Sequence, residues 1–304
     1  MAIEGLHHVT AICADAPGNV DFYGRVLGLR LVKKTVNFDQ PDVYHLYYGD
    51  DTGTPGSILT FFEFPDAEPG APGAGMVHTI LWRVAGRSAL DFWAERLEHA
   101  GIDTEREPEG SLRFHDPEGL AHELVPGDGG DPPLAAVAPG IPAEHALLGF
   151  HGVRAYAAEP AGSAPLLAAL EFDHREEAGA WVAMGAQRHG LIRYDAPPAA
   201  AGVQGAGTVH HVAWSVADDD ELGTLRAAAQ GAGAHPTPII DRQYFHSVYF
   251  REPSGVLFEL ASRDIGFDVD EPLATLGHDL KLPPRYEDRR EQLEQLLTPL
   301  TNPR

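Results

Sequence analysis

Apolar and polar residues fall into short runs that recur along the chain. Four segments open alike: Leu6-His7-His8-Val9-Thr10, Val77-His78-Thr79-Ile80-Leu81-Trp82, Phe150-His151-Gly152-Val153-Arg154-Ala155-Tyr156 and Val209-His210-His211-Val212-Ala213-Trp214. Runs of this length, rich in β-branched and aromatic residues, read as strands. Two closing segments, residues 114–124 and 250–260, superpose without a gap. Each holds an Asp/Glu-Pro-x-Gly tetrad between apolar runs, the signature of a tight turn between antiparallel strands.

A helix-like stretch follows each opening strand. In the first copy Pro17 opens it, Phe22, Val26 and Leu27 form its face, and Gly28 stops it. In the second, Ser88 is the expected N-cap with Asp91 three residues on, and Gly101 is the stop. In the fourth, Asp218 to Glu221 place carboxylates where the helix dipole favours them, and Gly231 ends the helix. The pattern predicts βαβββ four times, an α+β fold. The third copy, residues 150–195, is the most degenerate, with its closing strand expected at 190–195. A Gly/Pro/Ala-rich linker at 126–143 suggests two similar domains: residues 1–130 with modules 1 and 2, and 145–270 with modules 3 and 4. Residues 271–304 form a tail, with a helix through Leu293, Leu296 and Leu297 ending near Pro299.

Composition narrows the function classes. Of 304 residues, 43% are hydrophobic, enough for a sizeable core, and no run is long and apolar enough to span a bilayer. The net charge of −23 repels nucleic acid and anionic membrane surfaces. Cys13 is the only cysteine, which excludes an intrachain disulfide or a thiolate cluster. The N-terminus has neither a basic patch nor a long apolar stretch, so a cytoplasmic protein is expected.

The histidines carry the candidate chemistry. Adjacent pairs, His7-His8 and His210-His211, stand at the same place in two repeat copies. Neutral imidazole is the commonest metal ligand. Glu259 sits in the apolar run Val256-Leu257-Phe258-Glu259-Leu260, where a carboxylate needs a partner or a metal. Two histidines and one carboxylate on neighbouring strands form the facial arrangement that leaves open positions on iron(II). Because strand side chains alternate faces, only one histidine of each pair shares the face of Glu259, and alternation alone does not say which. The same slot holds Thr79 in the second copy and Gly152 in the third, so Glu123, which matches Glu259, is not expected to complete a second site.

Taken in order, these blocks resemble the vicinal oxygen chelate superfamily, and within it the ring-cleaving dioxygenase branch that includes 2,6-dichlorohydroquinone 1,2-dioxygenase. The resemblance runs almost end to end. It also covers Val43-Tyr44-His45-Leu46-Tyr47-Tyr48-Gly49-Asp50, Asp241-Arg242-Gln243-Tyr244-Phe245, Ser247-Val248-Tyr249-Phe250-Arg251 and the tail Leu276-Gly277-His278-Asp279-Leu280-Lys281-Leu282-Pro283-Pro284. It implies a non-haem iron(II)-dependent, extradiol-type dioxygenase that opens a hydroquinone or related dihydroxybenzene with O2. It further implies His8, His211 and Glu259 as the iron ligands, with His7, Thr10, His210, Arg242 and Tyr249 lining the substrate pocket.

The residue types suit that chemistry, with His210 or Tyr249 for proton transfer and Arg242 for anionic oxygen. The expected partners are a small aromatic diol and O2, with no nucleic acid and no membrane, and a homo-oligomer is allowed. The same superfamily also contains glyoxalase-like metal-dependent isomerases, epoxide-opening thiol transferases and non-catalytic aromatic-ligand binders. Glyoxalase-type sites have four protein ligands, whereas Thr60 holds the fourth slot here. His78 and His246 receive no role from the resemblance.

Overall fold

The computed structural model describes residues 3–127, 130–176 and 179–302. Module 1 comprises β1 (Leu6–Cys13), α1 (Ala16–Val20), β2 (Arg30–Val36), β3 (Tyr44–Gly49) and β4 (Ile58–Glu63). Module 2 comprises β5 (Val77–Val84), α2 (Arg87–His99), β6 (Thr104–Arg106), β7 (Leu112–His115) and β8 (Ala121–Pro126). Module 3 comprises β9 (Phe150–Tyr156), α3 (Ala164–Ala169), β10 (Asp173–Arg175), β11 (Ala180–Met184) and β12 (His189–Asp195). Module 4 comprises β13 (Val209–Val216), α4 (Asp219–Gly231), β14 (Ile240–Asp241), β15 (His246–Arg251) and β16 (Leu257–Ser262). The fold is therefore α+β, with βαβββ four times.

Local signals set the helix ends. Asp15 caps α1 by accepting from the Gly18 amide, and the chain continues as a wider π-helical turn to Val26. Gly28 then adopts a φ of +71°, and a Cβ there would strike Ile141, so only glycine suits this stop. In α4, Asp218 accepts from the Glu221 amide while Glu221 reaches back to the Ala217 amide, a reciprocal cap. The expected cap at Ser88 is corrected: Gly86 is the N-cap residue, no side chain caps α2, and Ser88 lies in its first turn.

The sheets do not follow the two sequence halves. One runs β14-β15-β16-β13-β1-β4-β3-β2, joining modules 4 and 1; the other runs β10-β11-β12-β9-β5-β8-β7-β6, joining modules 3 and 2. The two sequence halves, residues 1–130 and 145–270, thus each contribute one module to each sheet. Each opening strand pairs in parallel with its own closing strand, and its module offers nothing for the other edge. That edge must find a partner, and module periodicity does not name which one. Here β1 pairs antiparallel with β13, and β5 with β9. The 126–143 linker therefore connects two modules of one sheet. Trp82, Trp93 and Trp214 are fully buried in the core around these strands.

The tail crosses module 1, with a short helix α5 (Arg290–Leu296) that buries Leu293. Its approach is fixed by Lys33 on β2, which has no exposed surface and lies 2.6 Å from Asp270 and 2.8 Å from Glu271. Glu271 is itself buried and also accepts from the Gly277 amide. Lys33→Met should cost about 3–5 kcal/mol, because it strands a buried carboxylate. Urea unfolding measures this, and a change within about 0.5 kcal/mol would show that the ion pairs do not hold the tail.

A second buried network joins modules 1 and 2. Trp82 Nε1 donates to His122 Nδ1 at 3.1 Å, His122 Nε2 lies 2.9 Å from the Tyr23 hydroxyl, and that hydroxyl donates to Asp116 at 2.9 Å. Burial pushes His122 down to about 3 and Asp116 up to about 6. His151 falls to about 4 through burial and the neighbouring Arg83. Between pH 6.5 and 5 the unfolded chain protonates both histidines while the folded protein does not, so each removes about 2 kcal/mol of stability. Asp116 acts oppositely, returning about 1.4 kcal/mol as it gains its proton between pH 6 and 5. The net expectation is a loss of about 3 kcal/mol from these groups by pH 5. Urea titrations at pH 7 and pH 5 would show it, and a flat profile would contradict the buried neutral rings.

Candidate metal centre and its pocket

The register between β1 and β13 slips twice. Leu6 faces Trp214 and His8 faces Ala213; further along, Thr10 faces His211 and Ala11 faces Val209. His7 and His210 are thus the extra residues of two β-bulges. The second sheet repeats this: slips between β5 and β9 fall at His78 and His151. Strict alternation would send the rings of adjacent residues to opposite faces. The bulges bring them together instead, with His7 Nδ1 2.9 Å from His8 Nδ1 and His210 Nδ1 2.8 Å from His211 Nδ1.

These bonds orient the second histidine of each pair. His7 Nε2 lies 3.1 Å from the Ser262 carbonyl, which can only accept, so His7 carries its proton there. Burial and the adjacent His8 push His7 down to about 3, so its Nδ1 is a lone pair. His8 must donate to it through Nδ1, which leaves His8 Nε2 as a second lone pair. The β13 pair makes the same Nδ1–Nδ1 contact, with His210 more exposed than His7. Phe245 packs against the rings of both His7 and His8, with centroids 5.0 Å away in each case.

His8 Nε2 and His211 Nε2 are 3.2 Å apart, and Glu259 Oε2 lies 3.1 Å from the first and 2.9 Å from the second. All three residues are buried. Ser247 Oγ donates to Glu259 Oε1, whereas Oε2 has no hydrogen bond despite its two close nitrogens. Three acceptor atoms converging on one point are mutually repulsive unless a cation sits among them. The donor set, two imidazoles and one carboxylate, fits a divalent transition metal.

A cavity of about 380 Å³ opens onto this centre, its walls mostly apolar. His8, His210, His211, Arg242 and Tyr249 all line it. Arg242 Nε donates to the Tyr249 hydroxyl at 3.2 Å, and its Nη1 pairs with Asp39 at 3.0 Å. Two expectations are corrected. His7 and Thr10 do not line the cavity: His7 lies behind His8, and Thr10, fully buried, accepts from Thr60 Oγ1 at 2.9 Å. Thr10 is screened from the cavity by Thr60 and His45, and His7 by His8.

His45, Tyr47 and Phe62 also line the cavity, and none was singled out by the sequence. The signal lay in the repeats. Thr60 occupies in module 1 the position of Glu259 in module 4, and Tyr47 faces Thr60 as Tyr249 faces Glu259. His78 stacks on Tyr156 and bonds Asp195 at 2.9 Å, and His246 pairs with Asp219 at 2.7 Å; both are tied into salt links away from the centre.

In the second sheet Glu123 accepts from Ser111 at 2.6 Å, as Glu259 does from Ser247. Its other oxygen lies 3.6 Å from Arg154, and a side chain at Gly152 would collide with the Leu191 carbonyl. Arg154 stands at the strand position of Thr10, so a guanidinium supplies the positive charge there.

Comparison with known proteins agrees with this architecture. The sequence profile of the Glyoxalase/Bleomycin resistance protein/Dioxygenase superfamily matches residues 5–124 and 135–260. The chain is 40% identical to MhqO of Bacillus subtilis (strain 168), assigned as a ring-cleaving dioxygenase, over 97% of this chain and 96% of that protein. It is 32% identical to the chlorohydroquinone/hydroquinone 1,2-dioxygenase of Sphingobium indicum, over 96% and 95% of the two chains. A crystal structure of a Bacillus subtilis protein assigned as a dioxygenase superposes with a TM-score of 0.92 at 37% identity, covering 99% of this chain and 98% of that one. Glyoxalase I from Zea mays shares the fold, with a TM-score of 0.61 at 15% identity, covering 91% of this chain and 97% of that one. From four bulged βαβββ modules to full-length relatives, the chain belongs to the glyoxalase/bleomycin resistance/dioxygenase superfamily, in its ring-cleaving dioxygenase branch.

Proposed function

We propose that the protein is an iron(II)-dependent, extradiol-type dioxygenase that opens hydroquinone or a related dihydroxybenzene with O2. The observation that carries this reading is the convergence of His8, His211 and Glu259 on one point at the floor of an aromatic-lined cavity. Iron(II) held by these three residues would supply oxygen activation and Lewis acidity toward a ring hydroxyl. The hydroquinone 1,2-dioxygenase relative supports the choice of substrate class.

The chain's own residues divide the remaining work. The Ser262 carbonyl and His7 fix the orientation of His8, and His210 fixes that of His211. Arg242, anchored by Asp39, offers positive charge to an ionised ring oxygen, and Tyr249 lies beside it. With its Nδ1 turned to His211, His210 keeps its Nε2 proton for the cavity. Phe62 and Phe245 give the cavity aromatic walls suited to an aromatic ring. A four-ligand isomerase site is disfavoured, because Thr60 is spent on Thr10 and His45.

No helix among the described residues is long and apolar enough to cross a membrane. The test is oxygen uptake by iron(II)-loaded protein across hydroquinone, chloro- and methylhydroquinones and catechols. Stoichiometric uptake with ring opening of at least one hydroquinone is expected. Uptake with catechols alone would reassign the substrate class, and none with any diol would overturn the reading.

A further inference from the structure

The first module sends its own hydrogen-bonded chain into the cavity. Tyr47 on β3 and Tyr249 on β15 occupy equivalent places in modules 1 and 4, and both line the cavity. They differ in what holds the phenol oxygen. Tyr249 accepts from the Arg242 guanidinium at 3.2 Å. Tyr47 meets a histidine, and the direction of that bond follows from the groups behind it.

The Thr60 hydroxyl gives its proton to Thr10 Oγ1 at 2.9 Å. Thr60 can then only accept from His45 Nε2, which lies 2.9 Å away. His45 is enclosed, and burial keeps its ring neutral. Its single proton is therefore on Nε2, and Nδ1 is a lone pair. The Tyr47 hydroxyl, 2.8 Å from that nitrogen, donates to it. With its proton committed, Tyr47 has only oxygen lone pairs left for a molecule in the cavity.

We propose that Tyr47, oriented by His45, accepts a hydrogen bond from a second, un-ionised hydroxyl of the substrate, and so selects a diol over a phenol whose second oxygen is capped. The inference rests on the ring-cleaving reading and adds a positioning pair to it. Arg242 favours an ionised oxygen, and Tyr47 favours one that keeps its proton. The two tyrosines thus distinguish the two oxygens of one ring. The packing of Tyr47 against Tyr244 and Phe267 is a separate, structural role, which a phenylalanine preserves.

The experiment is anaerobic calorimetric titration of the iron(II)-loaded protein with hydroquinone and with 4-methoxyphenol, which has the same ring but no second proton. Wild type should prefer hydroquinone. Tyr47→Phe should weaken hydroquinone binding about tenfold, the size of one lost hydrogen bond, and leave 4-methoxyphenol unchanged. His45→Leu frees the Tyr47 proton and should shift the preference toward 4-methoxyphenol. His45→Gln, whose carbonyl can accept from Tyr47, should restore part of the preference for hydroquinone.

Iron content and circular dichroism establish that each variant is folded. If the His45 variants fail to fold, Tyr47→Phe alone decides. Equal changes for both ligands in Tyr47→Phe, or no change for hydroquinone, overturn the proposal. Failure of the ring-cleaving reading looks different: wild type would bind the diol selectively and take up no oxygen.

Discussion

Glu259→Ala should abolish stoichiometric iron binding and, with it, ring cleavage, while the protein stays folded. Glu259 Oε2 sits 2.9 and 3.1 Å from two imidazole nitrogens with no hydrogen bond of its own, so its charge is directed at the ion site. Losing an outer hydrogen-bond partner of a metal ligand typically costs about 10–100-fold in affinity, and losing the ligand itself should cost more. His8→Ala and His211→Ala should behave alike. Stability should change less than for an ordinary buried charge, because removing one of three crowded acceptors relieves their mutual repulsion. Glu123→Ala is the matched control: the same strand position in the second sheet, bonded to Ser111 and near Arg154, and it should leave iron content unchanged. Iron measured by plasma emission in each dialysed variant is the readout. Full iron retention by Glu259→Ala would remove it from the ligand set.

His210→Ala should lower turnover by about a hundredfold or more, the usual size for a positioned acid–base group. Its ring lines the cavity, and with a metal on His211 Nε2 the His211 Nδ1 proton would go to His210 Nδ1, leaving the His210 proton on Nε2 to meet a substrate. The substitution also loosens His211, so rates must be compared at saturating iron(II). Under that condition KM should move little and kcat should fall. A variant with reduced iron affinity but normal kcat would make His210 a positioning residue for the metal alone.

What could be read in the sequence follows from what is local. The four modules were visible because each opens with the same strand and closes through a tight turn. The histidine pairs and Glu259 stood out as polar residues repeated in, or embedded in, apolar strands. The pairing of modules was not legible: an unpaired β1 edge meets β13 more than two hundred residues later, and nothing in either strand names the other. The bulges at His7 and His210 were equally hidden, because alternation assumes an unbroken register. That is why strict parity could not show how neighbouring histidines come to share a hydrogen bond. Thr10 and His7 have the residue types of a pocket wall, yet Thr60 and His45 cover the first and His8 covers the second. Tyr47 and His45 escaped notice because Tyr and His in a strand look ordinary until Thr60 is aligned with Glu259. Nothing in its local sequence marks Lys33 as buried, and its burial depends on a tail that reaches it from residues 270–271.

The most direct test of the central claim is the fate of labelled oxygen. Protein stripped by a chelator and reloaded separately with iron(II), manganese(II), zinc(II) or nickel(II) is given hydroquinone under ¹⁸O2, and the product is analysed by mass spectrometry. The iron(II) form should bind one equivalent of metal and yield an acyclic product carrying both labelled atoms, while chelated protein yields none. An intact ring, or an opened product without both labels, would contradict the assignment of this site to ring-cleaving dioxygenation.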